Sequence, residues 1–423
     1  MKRLCCMFAV VVAALFVGMG QKTSSDAGSL STRGVWVSCF EYEELGLSNQ
    51  SESAFRTAAN RLFSRLKANG CNTVYFHVRS YDDAIYPSKI VGWSKKISSG
   101  GKALSYDPLK ILVDSSHKHG IKFHAWMNPY RVTKKKVLDP AKEETTKRIV
   151  SQVQEIVANY AVDGIHFDDY FYPTNESKYN KVSQSDRMDN VNYMVSEVYD
   201  AVKKKSKSLQ FGISPAGDIA YCEKIGADVR TWLSEDGFVD YIVPQIYWSD
   251  EYIMKGKKTK LFSERLELWR GINEKDVPMY VGLALYKTGY SLADDLGWKK
   301  KSNNIASQLS IIKKGNTEGY VLFASTDLYR TSAYAEVKNY LAKVSTLKIT
   351  KKKKSMRVGQ SVKLKAVASV SRVQANLKWK SSNKKVATVT KSGKVKAKRA
   401  GKARITVYYG KLKKSFVLRV KKK

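Results

Sequence analysis

Apolar and polar positions alternate along the first three quarters of the chain in eight units, each a strand-like run followed by a helix-like segment. The runs are rich in β-branched and aromatic residues, and the segments between them carry apolar residues at helical spacing. Eight such units in order predict a (β/α)8 TIM barrel, with a doubly wound open sheet as the alternative. The predicted strands are 34–40, 72–79, 121–128, 162–169, 209–215, 239–248, 278–286 and 319–325.

The pattern changes after a predicted last helix at 332–344. From Leu347 onward, short alternating segments are broken by glycine and by Ser-Lys turns, which predicts about seven short strands. Strands of this number and length are typical of a small all-β sandwich. We therefore expect two folded domains, a barrel at 33–343 and a sandwich at 345–423.

Residues 1–20 have the pattern of a secretory signal peptide. Lys2 and Arg3 precede an apolar run, and Gly18 and Gly20 occupy suitable cleavage positions. A membrane anchor is the alternative, but the apolar run is shorter than the roughly 20 residues that a span needs. We predict cleavage, a linker at 21–32, a secreted or envelope-associated protein and no transmembrane segment after signal removal.

The net charge of +37 is concentrated in the second domain, where residues 345–423 hold 27 Lys and Arg and no Asp or Glu. A charge of this size attracts polyanions, and salt weakens the attraction. We expect an anionic cell-wall polymer as partner and no specific nucleic acid. A membrane surface, extracellular nucleic acid and a plain solubilising spacer are the alternatives.

The stretch GIHFDDYFYP at 164–173 carries the candidate chemistry. Strand alternation directs Ile165 and Phe167 toward the outer helices, and Asp168 into the mouth of the barrel. Glycosidic cleavage needs a proton-donating carboxyl group and a second carboxylate or its equivalent. We predict Asp168 as the direct participant. Asp169 would point to the opposite face if the strand continued. It would then orient Asp168 or bind sugar hydroxyl groups, or it would reach in from the loop. A capping or ion-pairing role is the alternative for either aspartate.

The second carboxylate has to come from another strand end. Asp82 and Asp83 follow the second strand, Glu41 follows the first and Asp218 follows the fifth. The separation of the two carboxyl groups decides between retention and inversion at the anomeric carbon. Sequence alone does not rank these candidates by distance.

Aromatic and cationic residues gather at or just beyond the predicted strand ends. Aromatic faces suit pyranose rings, although packing accounts equally well for some of them. Arg79, Arg131 and Lys287 would suit a sugar with an acidic substituent, or form structural ion pairs. The aromatic residues are Trp126, Tyr130, Tyr170, Phe171, Tyr172, Tyr247 and Trp248.

Other chemistries have weaker support. His77, His124 and His166 lie on neighbouring strands and could gather at a metal, as in barrel metallohydrolases. The chain has no Gly-x-Ser-x-Gly motif and no phosphate loop. Cys39, Cys71 and Cys222 lack metal-ligand spacing and form an odd set, which favours buried thiols over disulfides. We expect no metal and no cofactor.

Several long motifs resemble those of glycosyl-hydrolase-like family 10 over residues 33–343. They are RGVWVS, HVRSYDDAIYPS, DPLKILVDSSHKHGIKFHAWMNPYR, VDGIHFDDYFYP, FGISPAG, VDYIVPQIYW and GLALYKTG. The resemblance implies a barrel that hydrolyses peptidoglycan glycan strands without stem peptides. The lactyl carboxylates of such strands would explain the cationic residues. The positions matching the family's groove motifs are Arg79, Asp83, His124, Trp126, Asn128, Tyr130, Arg131, Asp168, Asp169, Gln245, Tyr247, Trp248 and Lys287.

One segment departs from the family pattern. After FGISP the family usually continues with a Gly-Ile-Trp-Arg-Asn type segment, whereas here Ala216 to Tyr221 follow. The sugar contacts of this loop therefore do not carry over.

The tail motifs LKWKSSN, VATV and GKARITV resemble a bacterial immunoglobulin-like group 2 domain. We accordingly predict a secreted glycoside hydrolase acting on envelope glycan, and the alternative is a non-catalytic glycan-binding surface protein. Asp168, Asp169 and Asp83 are the predicted catalytic residues. The predicted substrate-binding residues are Arg79, His124, Trp126, Asn128, Tyr130, Arg131, Tyr170, Gln245, Tyr247, Trp248 and Lys287.

Overall fold

The fold is that of a computed structural model. It describes residues 30–173, 179, 181–299, 303–315, 317–329, 347–368, 377–390, 392–409 and 412–422. The predicted signal peptide, most of the predicted linker and the predicted helix at 332–344 lie outside the described residues.

The first domain is the predicted barrel of parallel strands. Each strand is buried on both sides, as expected where helices cover the outside and side chains fill the interior. The strands are β1 Thr32–Val37, β2 Thr73–Arg79, β3 Lys122–Met127, β4 Gly164–Phe167, β5 Gln210–Ile213, β6 Tyr241–Ile242, β7 Tyr280–Ala284 and β8 Gly319–Phe323.

The sheet runs in the order β7, β8, β1, β2, β3, β4, β5, β6, with every neighbouring pair parallel. The ring closes between its two ends, where Ile242 bridges Met279 and Gln245 bridges Gly282. Since the strands are parallel, all their carboxyl ends meet at one mouth.

Helices surround the barrel between the strands. Serine or aspartate caps the N-terminus of several of them, for example Ser51 before α2 and Asp107 before α3. The helices are α1 Tyr42–Leu45, α2 Glu52–Ala68, α3 Pro108–Lys118, α4 Glu143–Asn159, α5 Gln184–Lys205, α6 Ile219–Lys224, α7 Val229–Ser234, α8 Leu261–Gly271 and α9 Asn304–Lys314.

Two predicted strands are shorter than their apolar patterns suggest. The segment 239–248 forms a ladder only at Tyr241–Ile242. Pro244 has no N–H to continue the ladder, so the chain turns toward the mouth. The segment 162–169 is a strand only as far as Phe167, which frees Asp168 and Asp169 from strand alternation.

Glycines inside the barrel make room for large polar rings. A Cβ on Gly164 would lie 2.7 Å from Nδ1 of His124, and a Cβ on Gly212 would overlap the ring of Tyr241. Only a residue without a side chain fits at these two positions, because the interior is close-packed. The interior is therefore built of aromatic and imidazole rings beneath the mouth.

The second domain is all β, as predicted, with nine described strands. Its apolar positions alternate with lysines and arginines, so that one face of each strand is buried. The strands are β9 Leu347–Lys351, β10 Ser355–Arg357, β11 Ser361–Lys363, β12 Lys365–Ala368, β13 Lys378–Ser381, β14 Ala387–Val389, β15 Lys394–Ala397, β16 Gly401–Tyr409 and β17 Leu412–Lys421. The longest sheet has the order β10, β17, β16, β13.

Candidate active site

A pocket opens at the mouth of the barrel, among residues that end or follow the strands. Its wall combines two carboxyl groups, one guanidinium group, several aromatic rings and a few small polar side chains. The lining residues are Trp36, Ser38, Cys39, Phe40, His77, Ser80, Tyr81, Trp126, Asn128, Arg131, Asp168, Asp169, Tyr170, Ser214, Gln245, Tyr247 and Phe323.

Asp168 is buried in the wall and held by two donors. Its Oδ1 accepts the backbone N–H of Asp169 at 2.9 Å and the Nε2–H of Gln245 at 3.2 Å. Gln245 in turn donates to the carbonyl of Ser214 at 2.8 Å, which fixes the direction of its amide. Donors of this kind stabilise the carboxylate form of Asp168.

Asp169 also faces the pocket, because strand β4 has ended one residue before Asp168. The alternation argument for opposite faces is therefore wrong for this pair, and the alternative of a side chain reaching in from the loop is correct. The two carboxyl groups share a hydrogen bond. Two buried carboxylates this close cannot both ionise readily.

The electrostatics of the pair separate the two residues. Burial raises the pKa of Asp168, and burial together with the charge of Asp168 raises the pKa of Asp169 well above its usual range. The two N–H donors on Asp168 favour the charged form of that residue, so Asp169 is the partner that takes up a proton. Divergent protonation of two neighbouring carboxyl groups is what acid–base catalysis requires.

Trp126 and His77 form a flat stack in the wall, with ring centroids 3.9 Å apart and planes 10° from parallel. Burial lowers the pKa of His77 to about 3, so that the ring is neutral at physiological pH. The indole Nε1–H of Trp126 and the Oδ1 of Asn128 are buried without a hydrogen-bond partner among the described residues. Since both residues line the pocket, these two atoms are available to hydrogen-bond a ligand there.

Arg131 and Tyr170 form the cationic side of the pocket. The guanidinium carbon of Arg131 lies 3.6 Å from the centre of the Tyr170 ring, a cation–π contact. Tyr170 is 42% exposed, so its ring stands at the rim rather than in the core. A planar cation on an exposed ring is suited to a sugar that carries a carboxylate.

His124 and His166 lie below the pocket, in a buried hydrogen-bonded network. Trp36 Nε1–H donates to His166 Nε2 at 3.1 Å, and the Tyr241 hydroxyl lies 3.1 Å from His166 Nδ1 and 2.9 Å from His124 Nδ1. Because an indole nitrogen only donates, His166 carries its proton on Nδ1, and the Tyr241 hydroxyl then donates to His124. Burial lowers the pKa of His124 to about 4, and that of His166 well below its usual value. These rings form the floor of the barrel rather than the pocket wall.

Several sequence-predicted residues lie outside the pocket wall. Asp83 accepts the backbone N–H of Tyr81 at 3.0 Å and thereby stabilises a turn. The guanidinium of Arg79 is buried against Asp82 and the carbonyl of Asn128. Lys287 donates to the carbonyl of Tyr247 at 2.7 Å, so it supports a pocket residue from behind. Asp83, Arg79 and Lys287 therefore support the site without lining the pocket. Of the predicted cations Arg79, Arg131 and Lys287, only Arg131 lines the pocket.

Two further predicted aromatic residues pack around the site. Tyr130 is fully buried, and Trp248 is half-buried against the backbone at Gly217. The predicted residues that the structure brings together at the pocket are Trp126, Asn128, Arg131, Asp168, Asp169, Tyr170, Gln245 and Tyr247.

The other carboxylates considered from the sequence serve the fold. Glu41 is buried and accepts hydrogen bonds from Ser38, Ser325 and Thr326, which ties the end of β1 to the end of β8. Asp218 caps α6 and pairs with Arg265 at 2.6 Å. Asp168 and Asp169 are consequently the two carboxyl groups in the described part of the pocket wall.

Several wall residues are absent from the predicted substrate-binding set. Phe40, 60% exposed, is the clearest example, and it stands just beyond β1 as Tyr170 stands beyond β4. Its position after a strand end is the signal that could have identified it, but the predicted strand 34–40 includes Phe40, whereas the observed strand ends at Val37. Tyr81 and Phe323 belong to the same group.

Neither a metal cluster nor a membrane-spanning helix is found in the described part of the chain. No group of three or more His, Cys, Asp or Glu residues there has metal-binding geometry. No helix there is both long enough and apolar enough to cross a bilayer. His124 and His166 use their ring nitrogens in the floor network instead.

A parallel eight-stranded barrel with two aspartates in an aromatic pocket at its mouth has the fold and the carboxyl groups on which many glycoside hydrolases are built. The chain belongs to the glycosyl hydrolase-like 10 family, whose model matches residues 31–136 and 130–300. The bacterial Ig-like domain (group 2) model matches residues 343–419. Both predicted resemblances are thereby confirmed.

Curated relatives support the same class. Glycosyl hydrolase DigH of Escherichia coli K12 is 29% identical over 345 residues, covering 64% of this chain and 77% of that protein. Glycosyl hydrolase YngK of Bacillus subtilis is 29% identical over 286 residues, covering 54% of this chain and 55% of that protein. The chain is a glycoside hydrolase.

Solved structures agree on the fold. The glycoside hydrolase domain of PgaB (BpsB) from Bordetella bronchiseptica matches with a TM-score of 0.52 at 10% identity, over 74% of this chain and 99% of that one. Chitinase ChiA74 from Bacillus thuringiensis matches with a TM-score of 0.50 at 10% identity, over 93% and 85% of the two chains. Both likenesses bear on the fold alone.

Proposed function

We propose that the protein hydrolyses glycosidic bonds in the glycan strands of bacterial peptidoglycan that have lost their stem peptides. The observation that carries the proposal is the pair of carboxyl groups of Asp168 and Asp169 in a pocket that also presents Arg131. The acid–base pair suits glycosidic cleavage. The guanidinium suits the lactyl carboxylate that a strand exposes once its peptide is removed.

The pocket wall supports a sugar ligand. Trp126, Tyr170 and Tyr247 offer ring faces, while Asn128 and Gln245 offer amide groups. Sites for uncharged sugars combine such apolar faces with a few placed polar groups. An exposed ring at the rim, Phe40, extends the same surface toward solvent.

The substrate assignment is tested with the full chain and two forms of the same polymer. Peptide-free glycan strands and intact peptide-bearing peptidoglycan are incubated with the protein, and new reducing ends are counted. The proposal expects release from the peptide-free strands and at least about tenfold less from the intact polymer. Equal release from both, or release from the intact polymer alone, would contradict it.

We propose further that the protein is exported, on the strength of the signal-like segment 1–20. Mass spectrometry of the protein from the producing cells then measures a chain that begins after Gly20. Recovery of the intact N-terminus from the cytosol alone would contradict export.

We propose that the second domain holds the enzyme against an anionic wall polymer. The exposed face of its longest sheet is lined with cations that stand next to one another across strands. Lys402 pairs in register with Arg419, and Arg357 pairs with Lys421. Like charges directly opposite each other are unfavourable in a sheet, and a bound polyanion relieves them. The basic face comprises Arg357, Lys378, Lys380, Lys402, Arg404, Lys413, Arg419 and Lys421.

The polymer that fits this basic face is a chain of phosphodiester units, such as poly(glycerol phosphate). Neighbouring cations on a sheet are separated by about 4.8 Å across strands and about 6.8 Å along a strand. A flexible chain with one charge per short repeat can follow such a lattice. Tyr408 is the aromatic residue among the described positions of this face, so stacking of nucleic-acid bases has little support there.

A further inference from the structure

The spacing of the two pocket carboxyl groups is unusual for hydrolysis by two opposed carboxylates. Retaining enzymes that form a covalent intermediate hold the two groups about 5–5.5 Å apart, and inverting enzymes about 6.5–9.5 Å apart. The carboxyl groups of the consecutive residues Asp168 and Asp169 line the same pocket within hydrogen-bonding reach of each other, and the backbone N–H of Asp169 donates to Oδ1 of Asp168 at 2.9 Å. Two groups this close approach an anomeric carbon from the same side.

The remaining described wall of the pocket offers no further carboxylate to attack from the opposite side. Glu41, Asp82, Asp83 and Asp218 are committed to turns, caps and ion pairs. No carboxylate of the described wall is thus placed to act as an opposed nucleophile. Within a sugar, the group that reaches its own anomeric carbon by closing a five-membered ring is a 2-acetamido carbonyl oxygen.

We propose that this enzyme cleaves bonds next to a 2-acetamido sugar and that the acetamido oxygen of the substrate is the nucleophile. This inference rests on the proposed function, since both sugars of a peptidoglycan strand carry the 2-acetamido group. It assigns the substrate class by chemistry: N-acetylated hexosamines, with N-deacetylated sugars excluded.

The step balances with the two aspartates in different roles. Asp169 gives its proton to the glycosidic oxygen as the bond from that oxygen to the anomeric carbon breaks. The acetamido oxygen bonds to the same carbon, and the carboxylate of Asp168 stabilises the resulting oxazolinium cation. A water molecule then transfers a proton to Asp169, and its oxygen bonds to the anomeric carbon as the bond from that carbon to the acetamido oxygen breaks. The ring opens to restore the acetamide, so the configuration is retained.

The environment of each aspartate matches its role. Asp168 accepts N–H donors from Asp169 and Gln245, which keep it a carboxylate beside a developing cation. Asp169 has the charge of Asp168 beside it, which keeps it protonated until it acts. The roles are the reverse of the sequence-based preference, which gave the direct chemistry to Asp168.

The unpartnered groups of the wall fit the same sugar. Trp126 presents an indole N–H and Asn128 presents a carbonyl oxygen, both buried and both on the inward side of one strand end. The N–H of Trp126 and the carbonyl oxygen of Asn128 can together bind a hydroxyl group or an amide. An N-acetylated sugar carries both of these groups.

The experiment has a binding arm and a catalytic arm. The binding arm uses calorimetry with the thiazoline derivative of N-acetylglucosamine, a stable mimic of the oxazolinium ion, and with N-acetylglucosamine itself. We expect the thiazoline to bind at least about 100-fold more tightly, as transition-state mimics do. Equal or weaker binding of the thiazoline would overturn the inference even if strand cleavage were never observed.

The catalytic arm compares peptide-free strands before and after chemical N-deacetylation, with the anomer of the first product read by proton NMR. We expect retention, and a loss of at least about 100-fold in kcat/KM on deacetylation. Equal cleavage of both strands, or inversion, would overturn the inference while leaving the proposed hydrolase intact. Failure to cleave either strand with tight thiazoline binding would instead refute the proposed substrate and leave the mechanism standing.

A matched pair of variants completes the test. Asp168→Asn should abolish the preference for the thiazoline by removing the charge that stabilises the cation. Asp114→Asn changes an exposed carboxylate on α3 that pairs with Lys110, and should leave the preference unchanged. Loss of the preference in both variants, or in neither, would contradict the assigned role of Asp168.

Discussion

Asp169 donates its backbone N–H to Oδ1 of Asp168 at 2.9 Å, and the carboxyl groups of both residues line the same pocket. This contact exists because strand β4 ends at Phe167, which lets two consecutive side chains face one pocket. The charge of one residue thereby sets the protonation of its neighbour. Asp169 can therefore act as a general acid whose protonation is set by the next residue in the chain, Asp168.

The proton held by Asp169 predicts a pH-dependent stability difference. Since its folded-state pKa is raised, the wild type loses stability relative to Asp169→Asn as pH rises from about 4, the unfolded value, through the folded value. We expect the variant and the wild type to melt alike in strong acid, and the variant to melt higher at neutral pH. Thermal unfolding across this pH range measures the difference. The same comparison with Asp114→Asn should show no such gain, and a lower melting temperature of Asp169→Asn at neutral pH would contradict the buried acid.

Arg131 predicts a difference between two classes of glycan. Arg131→Gln removes the cation at the rim but keeps a polar side chain there. We expect kcat/KM to fall about 10-fold or more for strands with lactyl carboxylates, and to change little for neutral oligomers of N-acetylglucosamine. Initial rates with the two substrates measure the ratio. An equal loss on both would assign Arg131 a structural role.

The close approach of Gly212 to Tyr241 predicts a stability cost. Gly212→Ala places a methyl group within the Tyr241 ring, so that the floor network has to shift. Overpacking of this kind lowers the free energy of unfolding by about 1–3 kcal/mol. Denaturant unfolding measures it, with Gly92→Ala as control because nothing lies within 4 Å of a Cβ there. Similar costs for the two variants would contradict the tight interior.

The basic face predicts that charge position matters as well as charge number. One triple variant replaces Lys402, Arg404 and Arg419 by Gln on this face, and its control replaces Lys363, Lys394 and Lys396 on another sheet. We expect the first to weaken binding of the full chain to poly(glycerol phosphate) at least about tenfold more than the second, with both effects shrinking as salt rises. Equal losses would mean that only total charge attracts the polymer. Stronger binding to duplex DNA than to the polymer would favour nucleic acid as the partner.

The sequence was a good guide to the elements and to the inward-facing residues. Hydrophobic alternation is local, so it predicted the eight barrel strands and placed Asp168 at the mouth of the barrel. It failed where a strand ended early, as at Phe167 and before Pro244, because the end of a ladder depends on neighbouring strands.

Residues whose partners are distant in the chain could not be assigned from sequence. Lys287 looked like a groove cation, but its amine is used by the carbonyl of Tyr247, 40 residues away. Asp83 looked like a second carboxylate, but its oxygen serves a local turn. The hydrogen bonds of Lys287 and Asp83 depend on which residues lie near them in the folded protein, and residue spacing along the sequence does not predict them.

The central claim is that Asp168 and Asp169 make this barrel a hydrolase of peptide-free peptidoglycan glycan rather than a glycan-binding protein. Its most direct test is the release of reducing ends from such strands by the wild type and by Asp168→Asn, with strand binding measured on the same preparations. We expect steady release by the wild type, and a loss of at least about 100-fold in the variant with binding retained. Undiminished release by a folded Asp168→Asn, or no release by the wild type while it binds the strands, would contradict the claim.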